Sequence, residues 1–123
     1  MAKLILLVDD EPDTIKLLTL RLKKNGYLVI PCQTGREALD AVKLETPDLA
    51  ILDLKLPDMT GYDLLNCFRH NPTLKEMPII FSTADANVAV KKTIREYHAD
   101  AFVIKPYDAQ DLLRKIENLL LAA

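Results

Sequence analysis

Three short stretches of the chain end in groups that can do chemistry together. The apolar run "LILLV" at 4–8 runs straight into Asp9 and Asp10, "LAIL" at 49–52 into Asp53, and "AFVI" at 101–104 into Lys105-Pro106. A fourth run, "PIIF" at 78–81, leads into Ser82-Thr83-Ala84. Two adjacent carboxylates repel and are costly to desolvate unless a cation holds them. Asp9, Asp10 and Asp53 carry three negative charges and Lys105 one positive, so the set retains a charge of about −2, which suits a divalent ion. Oxygen-only ligands favour Mg²⁺ or a similar hard cation, which commonly also binds phosphate. With the metal in place, Asp53 is free to present an oxygen as nucleophile toward phosphorus. The phosphoryl oxygens then need neutralising, a task for the ion, Lys105 and the Thr83 hydroxyl. An aspartyl phosphate is the chemistry these parts suit.

That chemistry requires elements that bring the four segments to one rim. The four runs, with "YLVIPC" at 27–32, are too short for helices and are rich in Val, Ile and Leu without strict alternation. Strands covered on both faces read this way. Between them the apolar spacing is helical. Helix one opens at Pro12, carries Ile15, Leu18 and Leu22 on one face and stops at Asn25-Gly26. Helix two opens with the capping box Thr34-Gly-Arg-Glu37 and buries Ala38, Leu39, Ala41 and Val42. Helix three starts near Thr60-Gly61 and uses Leu64, Leu65 and Phe68. Helix four runs over about 87–97 with Val90, Ile94 and Tyr97, and helix five follows Asp108 with Leu112, Leu113, Ile116 and Leu120. Five β-α repeats argue for a parallel sheet between helices. Pro31 cannot donate to a central ladder, which puts the second strand at an edge. An edge second strand fits the doubly wound order 2-1-3-4-5 of flavodoxin-like folds, whose function collects beyond the carboxyl ends of the strands.

Composition agrees with one such domain over 1–123. Half of the 123 residues are hydrophobic and 28% are charged, with a net charge of −2. That balance gives no support to a nucleic-acid surface. No apolar run approaches the ~20 residues of a membrane span, and no signal-peptide pattern opens the chain. Cys32 and Cys67 form no CxxC and are expected as buried, reduced thiols. The expected location is the cytoplasm, without membrane contact. No repeat or linker is evident, and "LLLAA" follows the last helix with no second domain expected.

The motifs "LVDDEP", "DLKLPDMTG", "STA" and "KP", in this order and spacing, resemble the receiver domain of two-component response regulators, over the whole chain. The resemblance implies that Asp53 accepts a phosphoryl group from a histidine of a sensor kinase or phosphotransfer protein. It implies Mg²⁺ bound by Asp10, Asp53 and the backbone carbonyl of Lys55, with Asp9 acting through water. Thr83, Lys105 and the backbone N–H of Ala84 would contact the phosphoryl oxygens, and the Lys105-Pro106 bond would be cis. It further implies a switch, in which Thr83 shifts, Phe102 turns inward and the helix 4–strand 5–helix 5 surface is remodelled for an effector protein or domain. Lacking a tyrosine hydroxyl, Phe102 is expected to prefer the buried pose even without phosphate. Phosphorylation-dependent pairing of two copies is left open. Lys55 and Asp85, two residues after Asp53 and Thr83, stand where relatives tune phosphate lifetime. They either pair across the mouth of the site or remain two solvated side chains. Lys91, Lys92 and Arg95 of helix four read as a solvated face or as a partner patch, and His70 and His98 as surface residues.

The implied chemistry is self-directed, phosphorylation and dephosphorylation of the chain itself, and not that of an enzyme acting on metabolites. A phosphatase of the haloacid dehalogenase type wants a second Asp where Lys55 stands. A flavin carrier needs a hydroxyl- and glycine-rich loop where "DDEPD" stands. The remaining alternative is a degenerate receiver that binds a protein irrespective of phosphorylation.

Overall fold

A computed structural model describes residues 2–122; the ends of the 1–123 domain read from the sequence, Met1 and Ala123, lie outside the described residues. Strands β1 (Leu4–Val8), β2 (Leu28–Cys32), β3 (Leu49–Asp53), β4 (Ile79–Thr83) and β5 (Ala101–Ile104) alternate with five helices. These are α1 (Pro12–Lys24), α2 (Gly35–Leu44), α3 (Gly61–Arg69), α4 (Val88–Glu96) and α5 (Ala109–Ala122). The strands are all parallel in the order β2-β1-β3-β4-β5, the flavodoxin-like arrangement expected. Pro31 lies on the β2 edge opposite Leu7.

Alternate residues of each strand feed two half-cores. Leu6, Val8, Ala50, Leu52, Ile79 and Phe81 pack with Ala38 of α2, Leu64, Leu65 and Phe68 of α3, and Ile94 of α4. Ile5, Leu7, Leu49, Ile51, Ile80 and Val103 pack with Leu18 and Leu22 of α1 and Leu112, Leu113 and Ile116 of α5. Burial on both faces explains why the strands read as continuous apolar runs. Two strands run further than those runs. Asp53 pairs with Ser82, and Thr83 with Ile104, so both polar residues belong to the ladder.

Helix ends follow local chemistry. The N-cap of α1 is Glu11, with no side-chain cap bond, so Asp10 does not cap the helix, and Gly26 beyond its end takes a φ of 89°. At α2, Thr34 accepts the Glu37 N–H, but the Glu37 carboxylate reaches the Gln33 N–H instead of that of Thr34. The complete capping box lies at α3, between Thr60 and Asp63. Asp108 accepts the Gln110 N–H at the start of α5. Both cysteines are free, with Cys32 buried, but Cys67 is exposed because it lies on the outer face of α3, between the buried Leu64–Leu65 and Phe68.

His98 ends α4 at a φ of 58°, a left-handed conformation that costs a side-chain-bearing residue. Its N–H still closes the helix on the Arg95 carbonyl. His98→Gly is expected to raise the unfolding free energy by about 0.5–1 kcal/mol, read as a higher urea midpoint at unchanged slope.

Candidate functional site: an acidic rim at the carboxyl ends of the strands

Because β1, β3, β4 and β5 are neighbours, their ends bring Asp9, Asp10, Asp53, Thr83 and Lys105 to one rim. Lys105 forms its centre. Its Nζ donates to Asp9 Oδ2 at 2.8 Å and to Asp53 Oδ2 at 3.1 Å, with Glu11 Oε1 at 3.5 Å. The other oxygens of the two buried carboxylates are held by backbone: Asp9 Oδ1 accepts the Glu11 N–H and Asp53 Oδ1 the Lys55 N–H. Asp9 is only 3% exposed and Asp53 7%, whereas Asp10 is exposed.

The electrostatics follow from this packing. Burial pushes the Asp53 carboxyl above its ordinary value, and the Asp9 charge adds to the effect; the bonds from Lys55 and Lys105 oppose it without cancelling it. Burial alone would lower the Lys105 ammonium, but hydrogen bonds and charge from Asp9 and Asp53 outweigh it and hold it above its ordinary value. Glu11 adds a fourth carboxylate near the Lys105 ammonium. Asp9, Asp10 and Asp53 each offer a carboxylate oxygen within 4.8 Å of the others. An all-oxygen set of that size fits a hard divalent ion, with Lys55 exposed alongside it.

The Thr83 hydroxyl is buried and accepts the Asp85 N–H at 3.0 Å, while Ala84 is exposed at the mouth. The Lys105 N–H donates to the Thr83 carbonyl at 2.7 Å, and the Lys105-Pro106 bond is cis. Asp10, Asp53, Lys55, Thr83, Ala84 and Lys105 line a cleft of about 440 Å³. A larger groove of about 650 Å³ runs on the other side of Lys105, past Leu17, Leu18 and Tyr107. None of the three aspartates lines it, whereas Asp10 and Asp53 line the smaller cleft.

Among the described residues no ion pair joins Lys55 to Asp85. The Asp85 carboxylate is instead taken by the Asn87 N–H and Nδ2, at 3.1 and 2.7 Å. These neighbouring donors form a tight local turn, which an exposed lysine across the cleft does not displace. Phe102 is partly buried, packed against the half-core that holds Phe81 and Ile94. Lys92, Arg95, His70 and His98 are exposed, and Lys91 partly so.

Known proteins share this fold. The family model for the response regulator receiver domain matches residues 5–117, and the chain belongs to that family. It is 37% identical over 113 residues to the transcriptional regulatory protein KdpE of Mycobacterium tuberculosis, covering 92% of this chain and 49% of that one. The chain thus spans about half the length of several curated relatives it matches. A CheY-like response regulator receiver domain protein from Methanospirillum hungatei superposes with a TM-score of 0.91 at 33% identity, over 99% of this chain and 96% of that one. The chemotaxis response regulator CheY4 of Vibrio cholerae gives 0.90 at 26% identity, over 97% and 99%. No helix among the described residues is long and apolar enough to cross a membrane.

Proposed function

We propose that this receiver domain is a cytoplasmic phosphoacceptor switch whose nucleophile is Asp53. The observation that carries the reading is the position of Asp53: at the end of a central strand, 3.1 Å from Lys105 and inside the cluster with Asp9 and Asp10. In the transfer, an Asp53 oxygen bonds to phosphorus as the P–N bond of a donor phosphohistidine breaks. The bonding pair returns to the imidazole nitrogen, which takes up a proton. The donor is a sensor kinase or a phosphotransfer protein.

Asp10, Asp53 and the Lys55 carbonyl would hold Mg²⁺ directly, and Asp9 through water, the set that membership of the family supports. The bound ion would supply neutralisation of carboxylate and phosphoryl charge. Lys105 leaves Asp53 to meet the phosphoryl group, and the Thr83 hydroxyl and Ala84 N–H take the remaining oxygens. In doing so the Thr83 hydroxyl donates its O–H while its oxygen still accepts the Asp85 N–H. That retained bond passes a shift of Thr83 to the β4–α4 loop, and Phe102 follows by filling space in its half-core. The α4–β5–α5 surface is then read by an effector protein or domain. The domain modifies only itself and is not an enzyme acting on other substrates.

The test is the intact mass after incubation with acetyl phosphate, with and without Mg²⁺, beside Asp53→Asn. One added phosphoryl group that requires Mg²⁺ and vanishes in the variant is the expected result. No adduct, together with no binding of beryllofluoride in the presence of Mg²⁺, would overturn the phosphoacceptor reading in favour of a module that binds its partner unmodified.

A further inference from the structure

The turn between β3 and α3 carries a carboxylate that serves neither element. Asp58 Oδ1 accepts the Gly35 N–H and Oδ2 the Arg36 N–H, each at 2.9 Å. These are the first two amides of α2, which have no partner inside their own helix. The positive helix end favours a carboxylate there, and the two N–H bonds hold the Asp58 carboxyl below its ordinary range. Beside it, Met59 covers Gly35 so closely that any Cβ at 35 would collide with its side chain. Two consecutive loop residues therefore grip the start of α2.

The loop that is gripped is the one that carries the chemistry. It leaves the sheet at Asp53 and enters α3 at Gly61. It is cross-braced by the Lys55–Thr60 bridge and by the Leu56 N–H on the Met59 carbonyl. With so few residues between Lys55 and Asp58, a shift at Asp58 is carried through this bracing to the Lys55 backbone. We propose that Asp58 is a positioning residue for the metal site, fixing the Lys55 carbonyl and the Asp53 carboxylate by clamping their loop to α2. The inference rests on the reading of those two groups as metal ligands. Because Asp58 is exposed, water competes for its bonds, and its role is to set geometry more than to add stability.

The test titrates Mg²⁺ alone into the protein and follows the amide NMR signals of Asp53 and Lys55. Asp58→Ala is expected to weaken Mg²⁺ binding about tenfold, the scale seen when groups that orient metal ligands are removed. Asp58→Asn, which keeps one acceptor oxygen, should fall between that variant and the native chain. Thr34→Ala is the control: it removes another α2 cap, the bond to Glu37, and should lower stability while leaving Mg²⁺ affinity within about twofold. Native binding with Asp58→Ala unchanged, or with Thr34→Ala weakened equally, overturns the inference alone. No Mg²⁺ response in the native chain overturns it together with the metal-dependent reading.

Discussion

Replacing Lys105 by methionine is expected to lower metal-free stability by about 3 kcal/mol, and to tighten Mg²⁺ binding at the same time. Lys105 is the cation shared by two carboxylates whose side chains are 4% and 10% exposed. Methionine keeps the apolar stem and removes the charge, leaving two like charges buried close together with only backbone donors. Taking one partner from a buried ionic set costs more than the set contributes, because the remaining charges stay desolvated. The same ammonium competes with a divalent ion for Asp53, so its removal frees that oxygen. Its raised folded-state pKa sets the pH dependence. The contribution is complete below the unfolded value of about 10.4 and is lost only as pH climbs through the higher folded value. The deficit of the variant should therefore be flat through the neutral range. Urea unfolding in chelator and then in rising Mg²⁺ would check this: the gap to the native chain should narrow as metal is added. A gap that stays constant would show that Lys105 and the ion do not compete.

The second large effect is expected at Gly61. A Cβ there would lie 2.6 Å from the Asp53 carbonyl oxygen and 3.1 Å from the Leu54 Cα, both backbone atoms with no rotamer to adjust. The Gly61 N–H also donates to the Leu54 carbonyl at 2.9 Å, joining the start of α3 to the end of β3. Gly61→Ala must push the nucleophile's strand and the helix apart, at a cost of about 2–3 kcal/mol, as for other overpacked sites. The displacement falls on the peptide of Asp53 itself, so binding of beryllofluoride with Mg²⁺ should weaken along with stability. Native-like unfolding and native-like binding in this variant would mean that the approach relaxes without moving Asp53.

The strands were legible because burial on both faces makes each an uninterrupted apolar run, and Pro31 marked β2 as an edge, which fits the doubly wound order without fixing it. The places of Asp53 and Thr83 within their strands were not, since an apolar run stops at the first polar residue while the ladder continues. Asp9, Asp10, Asp53, Thr83 and Lys105 could be brought together from sequence, because topology alone takes strand ends to one rim. Competition between local partners leaves no mark in the spacing of residues. Thr34 and Thr60 both precede an acidic residue three positions on, yet only Asp63 returns to its own cap, while Glu37 bonds one residue earlier. Asp85 has the charge to attract Lys55 but is satisfied two residues away by Asn87. Asp58 reaches a helix more than twenty residues distant in sequence, which no spacing in the chain announces.

Pro31 has a consequence beyond locating β2. The Leu28 N–H points inward to the Lys3 carbonyl, so by alternation the nitrogens of Val29 and Pro31 face away from the sheet. Val29 offers a donor on that open side and Pro31 offers none. A foreign strand that tried to extend the sheet would find its row of partners broken at the fourth residue of a five-residue edge. The residue that ends the sheet thus also protects the folded molecule from recruiting other chains into aggregates.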